Sequence, residues 1–295
     1  MVSFIILNYN SSELTLQCVH SIEEHVPAGT YEVIVVNNGG SSEEHRMILD
    51  AFAGTSHRVV ESRWNAGFGL GNMLGANAAK GDYLCFLNSD ILLVEDCITP
   101  LCDYLQAHPD VGCITPQQYN GKGERVSSFN HAPGLRHDLI GDSLVERWFP
   151  QRYPSRRKDY TGCEPFAVTQ INGCFMLFSA RAFWEIGGFD TNIFLYYEEY
   201  DLAVRLRRKG WQSVFHPNCK FRHLHGATIN KRKSMALREL FLSKMYVFRK
   251  HHPWWLSTLE RWVNVLTFCF KPHKWYILPV LLRSEAMSRS MRHGI

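Results

Sequence analysis

The sequence predicts an α/β domain with a mostly parallel central sheet, followed by a helical appendage rich in aromatic and basic residues. Short apolar runs of β-branched and aromatic residues alternate with segments of helical periodicity, which is the pattern of βαβ units. Clusters of polar residues follow these runs, at the strand ends where open α/β sheets bind ligands. A chain of 295 residues accommodates one such domain over residues 1–230 and an appendage over residues 231–295.

The elements of the first half follow in order. Residues 2–7 form a continuous apolar run, typical of a strand buried on both faces. Ser11 or Ser12 is placed to cap the helix that follows, whose apolar face ends at Val26. The same reasoning predicts further strands at residues 31–36, 57–61 and 83–87, with helices at residues 43–52 and 69–80 between them.

The second half is less regular. Over residues 117–165 the periodicity fails, so we expect a long loop there. A strand is predicted at residues 172–178, and Ser179 is placed to cap a short helix that stops at Gly187 and Gly188. Another helix is predicted at residues 198–209, and after Met235 the chain becomes helical, aromatic and basic.

Composition argues against several classes of protein. A net charge of +4 and a pI near 8.5 are too mild for a nucleic-acid-binding protein. The nine cysteines show neither CxxC nor zinc-site spacing, so we interpret most of them as small apolar core residues in a reducing cytosol. The apolar start is too short for a signal peptide, and no apolar run reaches the roughly 18 residues of a membrane-spanning helix.

Two polar segments are candidate ligand sites. Asn88, Ser89 and Asp90 follow a strand, where a carboxylate can bind Mg²⁺ or Mn²⁺ and the metal can bridge a diphosphate. The same three residue types also favour a simple turn. Residues 63–72 carry three glycines before a predicted helix, which suits the close approach of a phosphate. This loop lacks both the Gly-Lys-Ser/Thr ending of a Walker loop and a full GxGxxG.

Three acids begin the helix predicted at residues 198–209. Glu198, Glu199 and Asp201 lie within one turn, where the helix dipole favours negative charge, so ordinary capping explains them in part. The aromatic residues around them would also shield a carboxylate from water and raise its pKa, as a general base requires. Asp201 and Arg205 are four residues apart, the spacing of a structural ion pair.

Two histidines form a further candidate. His223 and His225 are two residues apart in an extended segment, so their side chains point the same way, as two metal ligands could. The chain has fourteen histidines in all, and most of them must be ordinary surface or core residues, which is the alternative for this pair.

Taken together and in order, these segments resemble family 2 glycosyltransferases with the GT-A fold, and look most like the bacterial branch containing rhamnosyltransferases of O-antigen and cell-wall assembly. The resemblance covers residues 2–230. It is most specific where Asn172-Gly173-Cys174-Phe175-Met176-Leu177 precedes Gly187-Gly188-Phe189-Asp190 and the acidic helix. It implies a single Rossmann-like GT-A domain, with a nucleotide-sugar-binding half at residues 1–116 and an acceptor and catalytic half at residues 117–230.

The resemblance also implies residue roles. Asp90 would be the retained ligand of a Mg²⁺ or Mn²⁺ cofactor, with His223 or His225 as a late ligand of the metal or the diphosphate. Glu198 and Glu199 stand where the family has Glu-Asp, so Glu199 would be the catalytic base. The residues that would line the donor site are Leu7, Asn8, Tyr9, Asn37, Asn38, Asn65, Gly67, Asn72, Asn88, Ser89 and Asp90.

The chain departs from the family pattern at four positions. Asn37 stands where the family usually has Asp, which changes the group offered to the nucleoside. Asn88 replaces the first Asp of the metal motif, as is common in this branch. Glu199 is one methylene longer than the usual Asp, and Met73 stands where the branch often has Asn. Acids remain at the metal and base positions, so the resemblance still implies an active enzyme.

The implied reaction is an inverting transfer from a dTDP- or UDP-sugar to a hydroxyl of a growing, polyprenyl-linked bacterial surface glycan, and the branch points to dTDP-rhamnose. Nucleic acid is not an expected partner, and the oligomeric state is left open. Trp254, Trp255, Trp262 and Trp275 are interleaved with basic residues in the tail, which suits a bilayer interface with anionic lipids. With the polyprenyl-linked acceptor that the resemblance implies, the expected location is the bacterial cytoplasm, peripheral on the cytoplasmic face of the inner membrane. The alternative is a helical subdomain packed on the core or on a dimer partner.

Three other functions are alternatives to sugar transfer. A catalytically inactive glycan- or nucleotide-binding scaffold subunit of a polysaccharide assembly complex is supported by Asn37 and Glu199. A sugar nucleotidyltransferase would carry a glycine-rich, basic loop directly after the first strand, where this chain has Asn8-Tyr9-Asn10-Ser11-Ser12. A dehydrogenase would carry GxGxxG at the same place, and that motif is missing.

Overall fold

The computed structural model describes residues 1–151, 153–154, 156, 162–224, 233–283 and 290–291. Its centre is a mixed, mostly parallel sheet with helices on both faces, so the predicted α/β fold class is confirmed. The first half is β1 (Val2–Asn8), α1 (Ser12–His25), β2 (Tyr31–Asn38), α2 (Ser42–Phe52), β3 (Arg58–Ser62), α3 (Gly67–Ala78) and β4 (Tyr83–Asn88). Its strands lie in the order β3-β2-β1-β4 and all pair in parallel.

The second half extends the sheet beyond β4. It consists of β5 (Ile91–Leu93), α4 (Ile98–Ala107), β6 (Val111–Asn120), β7 (Arg125–Val126), β8 (Phe129–Asn130), α5 (Leu135–Ile140), α6 (Asp142–Trp148), β9 (Phe166–Val168), β10 (Gln170–Ile171), β11 (Phe175–Ser179), α7 (Ala180–Glu185), α8 (Glu198–Arg208) and β12 (Gln212–His223). β11 lies antiparallel between β4 and β6, and β12 runs parallel to β6 and antiparallel to β5.

The long loop predicted at residues 117–165 is wrong over much of its length. β6 runs on to Asn120, and short strands and helices follow it. The strand was hidden because Gln117 and Gln118 are buried in β6 with partners inside the protein: Gln117 Nε2 donates to the Val126 carbonyl (2.7 Å), and the Gln118 N–H donates to Ser128 Oγ (2.7 Å). The strands of two residues are shorter than periodicity can detect.

Two apolar cores flank the sheet because side chains alternate along its strands. In β1, Phe4 and Ile6 pack into the core beneath α1, α2 and α4, whereas Ile5 packs into the core beneath α3, α7 and α8. The interpretation of most cysteines as small core residues is confirmed for six free thiols in these cores, Cys18, Cys85, Cys97, Cys113, Cys174 and Cys219.

The appendage consists of α9 (Lys233–His251), α10 (Trp254–Cys269), a 3₁₀ helix (Pro272–Ile277) and α11 (Leu278–Leu282). These helices share an apolar core of their own, and α9 also packs against α8 through Val247 and Phe248. No helix in the described part of the chain combines the length and the apolar character needed to cross a bilayer. The boundary placed at residue 230 falls outside the described residues and stays a prediction.

Candidate active site

The carboxyl ends of β1 and β2 meet in a buried network of amide side chains. Asn8 Nδ2 donates to Asn37 Oδ1 (3.2 Å) and to Ser12 Oγ (3.1 Å), and Asn37 Nδ2 lies 2.9 Å from His45 Nδ1. Ser11 is the N-cap residue of α1, but its hydroxyl accepts no helix N–H and instead donates to Asn8 Oδ1 (3.2 Å). These amides therefore brace the strand ends from within.

A second amide network fixes the glycine-rich loop between β3 and α3. Asn38 Nδ2 donates to Asn65 Oδ1 (3.1 Å) and to the Gly67 carbonyl (3.2 Å), and Asn38 Oδ1 accepts the Ala66 N–H (2.9 Å). Asn65 Oδ1 also accepts the Gly67 N–H (2.9 Å). The polar end of β2 thus sets the path of this loop to the N-terminus of α3, where the N–H groups of Ala66, Gly67 and Phe68 are all bonded within the protein.

Gly67 joins this loop to the segment that precedes α8. Its backbone φ is +79°, and a Cβ there would overlap the carbonyl oxygen of Phe194, which accepts the Phe68 N–H (2.7 Å). We expect Gly67→Ala to lower the free energy of unfolding by about 2–4 kcal/mol, since a left-handed backbone and an overpacked contact both oppose the side chain.

Gly54→Ala is the matched control for Gly67→Ala. Gly54 has nearly the same φ, +77°, but open space around its Cβ position. It should therefore lower the free energy of unfolding by about 1 kcal/mol, from the backbone conformation alone. Both variants are measured by chemical denaturation, and equal losses would contradict the assigned contact with Phe194.

Asn72 brings an unpaired polar atom to the same loop. Its Nδ2 donates to the Phe68 carbonyl (3.0 Å), and its buried Oδ1 has no hydrogen-bond partner among the residues that the structure describes. A buried acceptor without a donor is unfavourable by about 1–3 kcal/mol. Asn72 Oδ1 is therefore a candidate acceptor for a ligand N–H or hydroxyl. Leu7 and Tyr9, two further predicted donor-site residues, are half-buried.

The end of β4 carries the predicted metal motif. Asp90 Oδ1 lies 3.0 Å from His223 Nε2, because the pairing of β5 with β12 sets His223 opposite Ile91. Behind this pair, His223 Nδ1 lies 3.1 Å from Gln118 Nε2, and Cys174 Sγ donates to Gln118 Oε1 (3.6 Å). An acid and a histidine from distant parts of the chain therefore share one point at the edge of the sheet.

Asp90 and His223 fit a divalent cation as two of its ligands. Neighbouring ligands of an octahedral Mg²⁺ or Mn²⁺ lie about 3 Å apart when the metal–ligand bonds are about 2.1 Å, and the Oδ1–Nε2 distance is 3.0 Å. The described residues hold no group of three or more His, Cys, Asp or Glu placed for a metal, so diphosphate oxygens and water would complete the coordination. His225 lies outside the described residues.

The first turn of α8 presents the acidic pair. Glu199 Oε1 accepts the Gly173 N–H (3.2 Å), and only a glycine permits this approach because a Cβ there would overlap the Glu199 carboxylate. Burial raises the pKa of both carboxyls, and the neighbouring charge of Glu199 raises the pKa of Glu198 further, well above its ordinary value. A side-chain hydrogen bond joins the two carboxyl groups, and the larger rise in pKa at Glu198 favours the proton on that group.

Two tyrosines with left-handed backbones lead into α8. Tyr196 and Tyr197 both have φ of +69°, a conformation that costs roughly 1–2 kcal/mol per residue without glycine. The turn is held from both sides: the Phe194 carbonyl accepts the Phe68 N–H at the end of the glycine-rich loop, and the Leu195 carbonyl accepts from Ser243 Oγ (2.8 Å) in α9. The position at which α8 begins thus depends on both the glycine-rich loop and the appendage.

Asp201 faces the appendage. Its Oδ2 accepts from Arg205 Nε (2.8 Å), which confirms the predicted pair, and its Oδ1 lies 2.6 Å from Lys250 Nζ and 2.7 Å from His251 Nε2 in α9. Lys250 also bonds Asp190 Oδ2 (2.7 Å). Burial opposes the charge of Asp201, but the hydrogen bond from His251 and the nearby cations lower its pKa to about 2. Asp201 is a structural anchor of α8.

A two-residue segment joins the metal motif to the acidic pair. The Cys174 carbonyl accepts the Asn88 N–H (3.0 Å), while the preceding Gly173 bonds Glu199. Ser89 Oγ completes the edge, 3.0 Å from Ser11 Oγ. Neither Gln118 nor Gly173 could be given a role of its own from the sequence. The one feature that could have indicated a role was the position of Gly173 just before a buried strand.

The backbone before Gly173 is also held by residues that are distant in sequence. Asn172 Oδ1 accepts from Asn130 Nδ2 (2.6 Å), and Asn130 Oδ1 accepts from Arg156 Nη1 (3.0 Å). Arg156 in turn pairs with Asp142 (2.6 Å) and Glu146 (2.7 Å) of α6. The helical segment after β8 is therefore fastened to the backbone that carries the Glu199 contact.

Comparison with known proteins gives one family. Residues 3–187 match the sequence profile described as "Glycosyl transferase family 2". The chain is 25% identical over 282 residues to the N-acetylglucosaminyl-diphospho-decaprenol L-rhamnosyltransferase of Mycobacterium tuberculosis, an alignment that covers 89% of this chain and 87% of that protein. It is 26% identical over 215 residues to the low-salt glycan biosynthesis hexosyltransferase Agl10 of Haloferax volcanii, covering 70% of this chain and 62% of that protein.

Solved structures give the same fold. GalNAc-T7 with UDP, GalNAc and Mn²⁺ superposes with a TM-score of 0.61 at 17% identity over 84% of this chain, which spans 49% of that longer chain. Mannosyltransferase PcManGT from Pyrobaculum calidifontis, in complex with GDP-Man and Mn²⁺, superposes with a TM-score of 0.57 at 16% identity, covering 96% of this chain and 73% of the other. At these identities the likeness concerns the fold, which is that of GT-A glycosyltransferases.

Proposed function

Because the chain belongs to glycosyl transferase family 2 and is a glycosyltransferase, we propose that it transfers one sugar, with inversion, from a nucleoside-diphosphate sugar to a hydroxyl of a lipid-linked glycan. The observation that supports this most directly is the Gly173–Cys174 segment, which bonds Glu199 at one residue and Asn88 at the next. It keeps the base and the metal motif beside one another, as attack on an anomeric carbon with a diphosphate leaving group requires.

Glu199 acts as the general base. As the acceptor oxygen attacks the anomeric carbon, its proton passes to the Glu199 carboxylate, and the bond to the diphosphate oxygen breaks with the electron pair leaving on the diphosphate. The Gly173 N–H holds one carboxylate oxygen, so the carboxylate is oriented before the substrate arrives. Glu198 keeps its proton and, by donating to Glu199, limits the build-up of two adjacent charges.

Asp90 and His223 would hold the cation. A bound Mg²⁺ or Mn²⁺ stabilises negative charge on a departing diphosphate. To ligate through Nε2, His223 must carry its proton on Nδ1, and a turn of the Gln118 amide would present its oxygen to that proton. Gln118 therefore positions His223, and after that turn its NH₂ group, in place of its oxygen, faces Cys174 Sγ, a weak acceptor.

The relative with matching length supports a proposal for the donor and the acceptor. That mycobacterial protein is named for transfer of L-rhamnose to N-acetylglucosaminyl-diphospho-decaprenol. We accordingly assign dTDP-rhamnose as the first donor, with UDP-sugars as the alternative, and a polyprenyl-diphosphate-linked sugar as the acceptor. Such an acceptor lies at a bilayer, so the proposed location is the cytoplasmic face of the inner membrane of a bacterium.

The raised pKa of Glu199 predicts the pH dependence of transfer. The base acts only when ionised, so kcat/KM should fall as pH drops through this pKa, and the fall should occur above the range of an ordinary glutamate, about 4.3. A pH profile of kcat/KM over the stable range of the protein tests this. If kcat/KM stayed constant as the pH fell to the pKa range of an ordinary glutamate, a general base with a raised pKa would be contradicted.

The function itself is tested by a transfer assay. The full chain is incubated with Mn²⁺ or Mg²⁺, a panel of dTDP-, UDP- and GDP-sugars, and a short-chain polyprenyl-diphosphate GlcNAc acceptor. We expect one donor class to give a disaccharide product whose new linkage, by NMR, has the anomeric configuration opposite to that of the donor. A retained configuration would reject the inverting mechanism. If no donor is bound or turned over by folded protein, the inactive scaffold subunit becomes the better assignment.

A further inference from the structure

One face of α10 is apolar and uncovered. Its exposed side chains are Trp255, Leu259, Trp262 and Leu266 in the helix and Phe270 directly after it, each between 47% and 84% exposed. At roughly 100° per residue these five positions fall within about 80° of one another around the helix. They form a continuous stripe, which we call the outer face of α10.

The opposite side of α10 is its packing side. Ser257, Glu260, Asn264, Val265 and Phe268 are buried there. Glu260 forms a buried ion pair with Lys244 of α9 (2.7 Å), so the helix is fixed in rotation about its own axis. The outer face is therefore presented by the fold itself and is not an accident of a loosely held helix.

The exposed charged residues that follow α10 in the described stretch up to residue 283 are all basic. In the described stretch 234–283 the two acids, Glu239 and Glu260, are both buried. Lys271 and Arg283 are exposed, and Lys274 is half-exposed, all following the end of α10. Within the same stretch, the surface near the outer face is thus apolar and basic, with Trp275 and Tyr276 also exposed in the 3₁₀ helix.

This combination fits an anionic lipid surface better than a second copy of the chain. Two copies meeting through this face would bring like-charged rims together, which opposes association. Tryptophan and basic residues beside an apolar helix face are favoured at the boundary between headgroups and acyl chains. No described helix can cross a bilayer, so α10 would lie along the surface.

We propose that the outer face of α10 inserts into the headgroup region of a bilayer that contains anionic phospholipid. The proposal rests on the proposed function in that the acceptor is lipid-linked, and it names the surface that brings the enzyme to that acceptor. α9 lies between α10 and α8 and bonds to both, through Lys244 and through Lys250 and His251. Insertion of α10 therefore fixes the orientation of the catalytic helix relative to the membrane.

The test uses flotation of the full chain with vesicles of phosphatidylcholine alone or mixed with phosphatidylglycerol. We expect the bound fraction to be at least about tenfold higher on the anionic vesicles at low salt and to fall steeply in high salt. The variant Trp262→Glu/Leu266→Glu should lose at least about tenfold in binding. The matched control, Trp184→Glu/Leu49→Glu, makes the same chemical changes at exposed positions on α7 and α2 and should bind as the parent does.

Nucleotide binding and thermal denaturation of each variant establish that it is folded, and vesicle binding is measured without donor or acceptor. A failure of transfer therefore leaves this result intact, and the reverse also holds. Equal binding to neutral and anionic vesicles, or unchanged binding of the Trp262→Glu/Leu266→Glu variant, would overturn the proposal. So would a parent dimer that ignores vesicles and becomes a monomer in that variant, because the outer face would then join two copies.

Discussion

Replacement of Glu199 by glutamine is expected to lower kcat for sugar transfer by about 10²–10⁴-fold. Glutamine keeps the size of the side chain and its bond to the Gly173 N–H, but it cannot take a proton from the acceptor hydroxyl. Donor binding should stay unchanged, because Glu199 is assigned to the acceptor and not to the nucleotide. The measurement is steady-state transfer beside calorimetric donor binding on the same preparation.

Two further variants make this result specific. Glu199→Asp restores the shorter acid usual in the family and should retain more activity than Glu199→Gln. Glu43→Gln, at an exposed acid in the first turn of α2, makes the same amide change away from the site and should leave the rate unaltered. If Glu199→Gln transferred sugar at the parent rate, Glu199 would not be the base.

Replacement of Asp201 by asparagine is expected to lower the free energy of unfolding by about 3–5 kcal/mol. The carboxylate is fully buried and bonded to Arg205, Lys250 and His251, so its loss leaves cations without their counter-charge. Its lowered pKa of about 2 corresponds to about 2.5 kcal/mol at neutral pH. Chemical denaturation of parent and variant gives the difference.

The pH dependence of this difference has a defined sign. Because the folded pKa of Asp201 is depressed, the stabilisation is complete above the unfolded value of about 3.9 and is lost as pH falls toward about 2. Parent and variant should therefore converge over that interval. Asp50→Asn serves as the control, since Asp50 forms an i,i+4 pair with Arg46 that is well exposed and contributes less than about 1 kcal/mol. A loss as small as this at Asp201 would contradict its role as an anchor.

The parallel half of the fold could be predicted because its signal is local. β1 and β2 are apolar over most of their length, since helices cover both faces of the sheet, and each ends in polar residues that are adjacent in sequence. β6 and β12 escaped prediction for the opposite reason. They bury polar side chains such as Gln118 and His223, which are stabilised by each other across 105 residues, and β12 is irregular between His216 and Lys220.

The residues of the candidate site also fall into two groups, those that the local sequence predicts and those that it does not. Asp90 and Glu199 could be proposed from short motifs, because a strand end and a helix start are visible in the sequence. The residues that support them could not, because Gly173, which bonds Glu199, and Gln118, which bonds His223, reach the site through the folding of distant segments. A local pattern can also predict a contact that the fold does not form. Ser11 and Ser179 occupy the predicted N-cap positions, yet neither side chain makes a capping hydrogen bond.

The most direct test of the account is calorimetric titration of UDP and dTDP, each with and without Mn²⁺, into the parent, Asp90→Asn and Glu199→Gln. We expect one nucleotide to bind in the presence of Mn²⁺. Asp90→Asn, or chelation of the metal, should weaken this binding at least about tenfold. Glu199→Gln should bind the nucleotide as the parent does. Binding that is indifferent to metal and to Asp90, or lost equally in Glu199→Gln, would contradict the separation of donor site and base on which the mechanism depends.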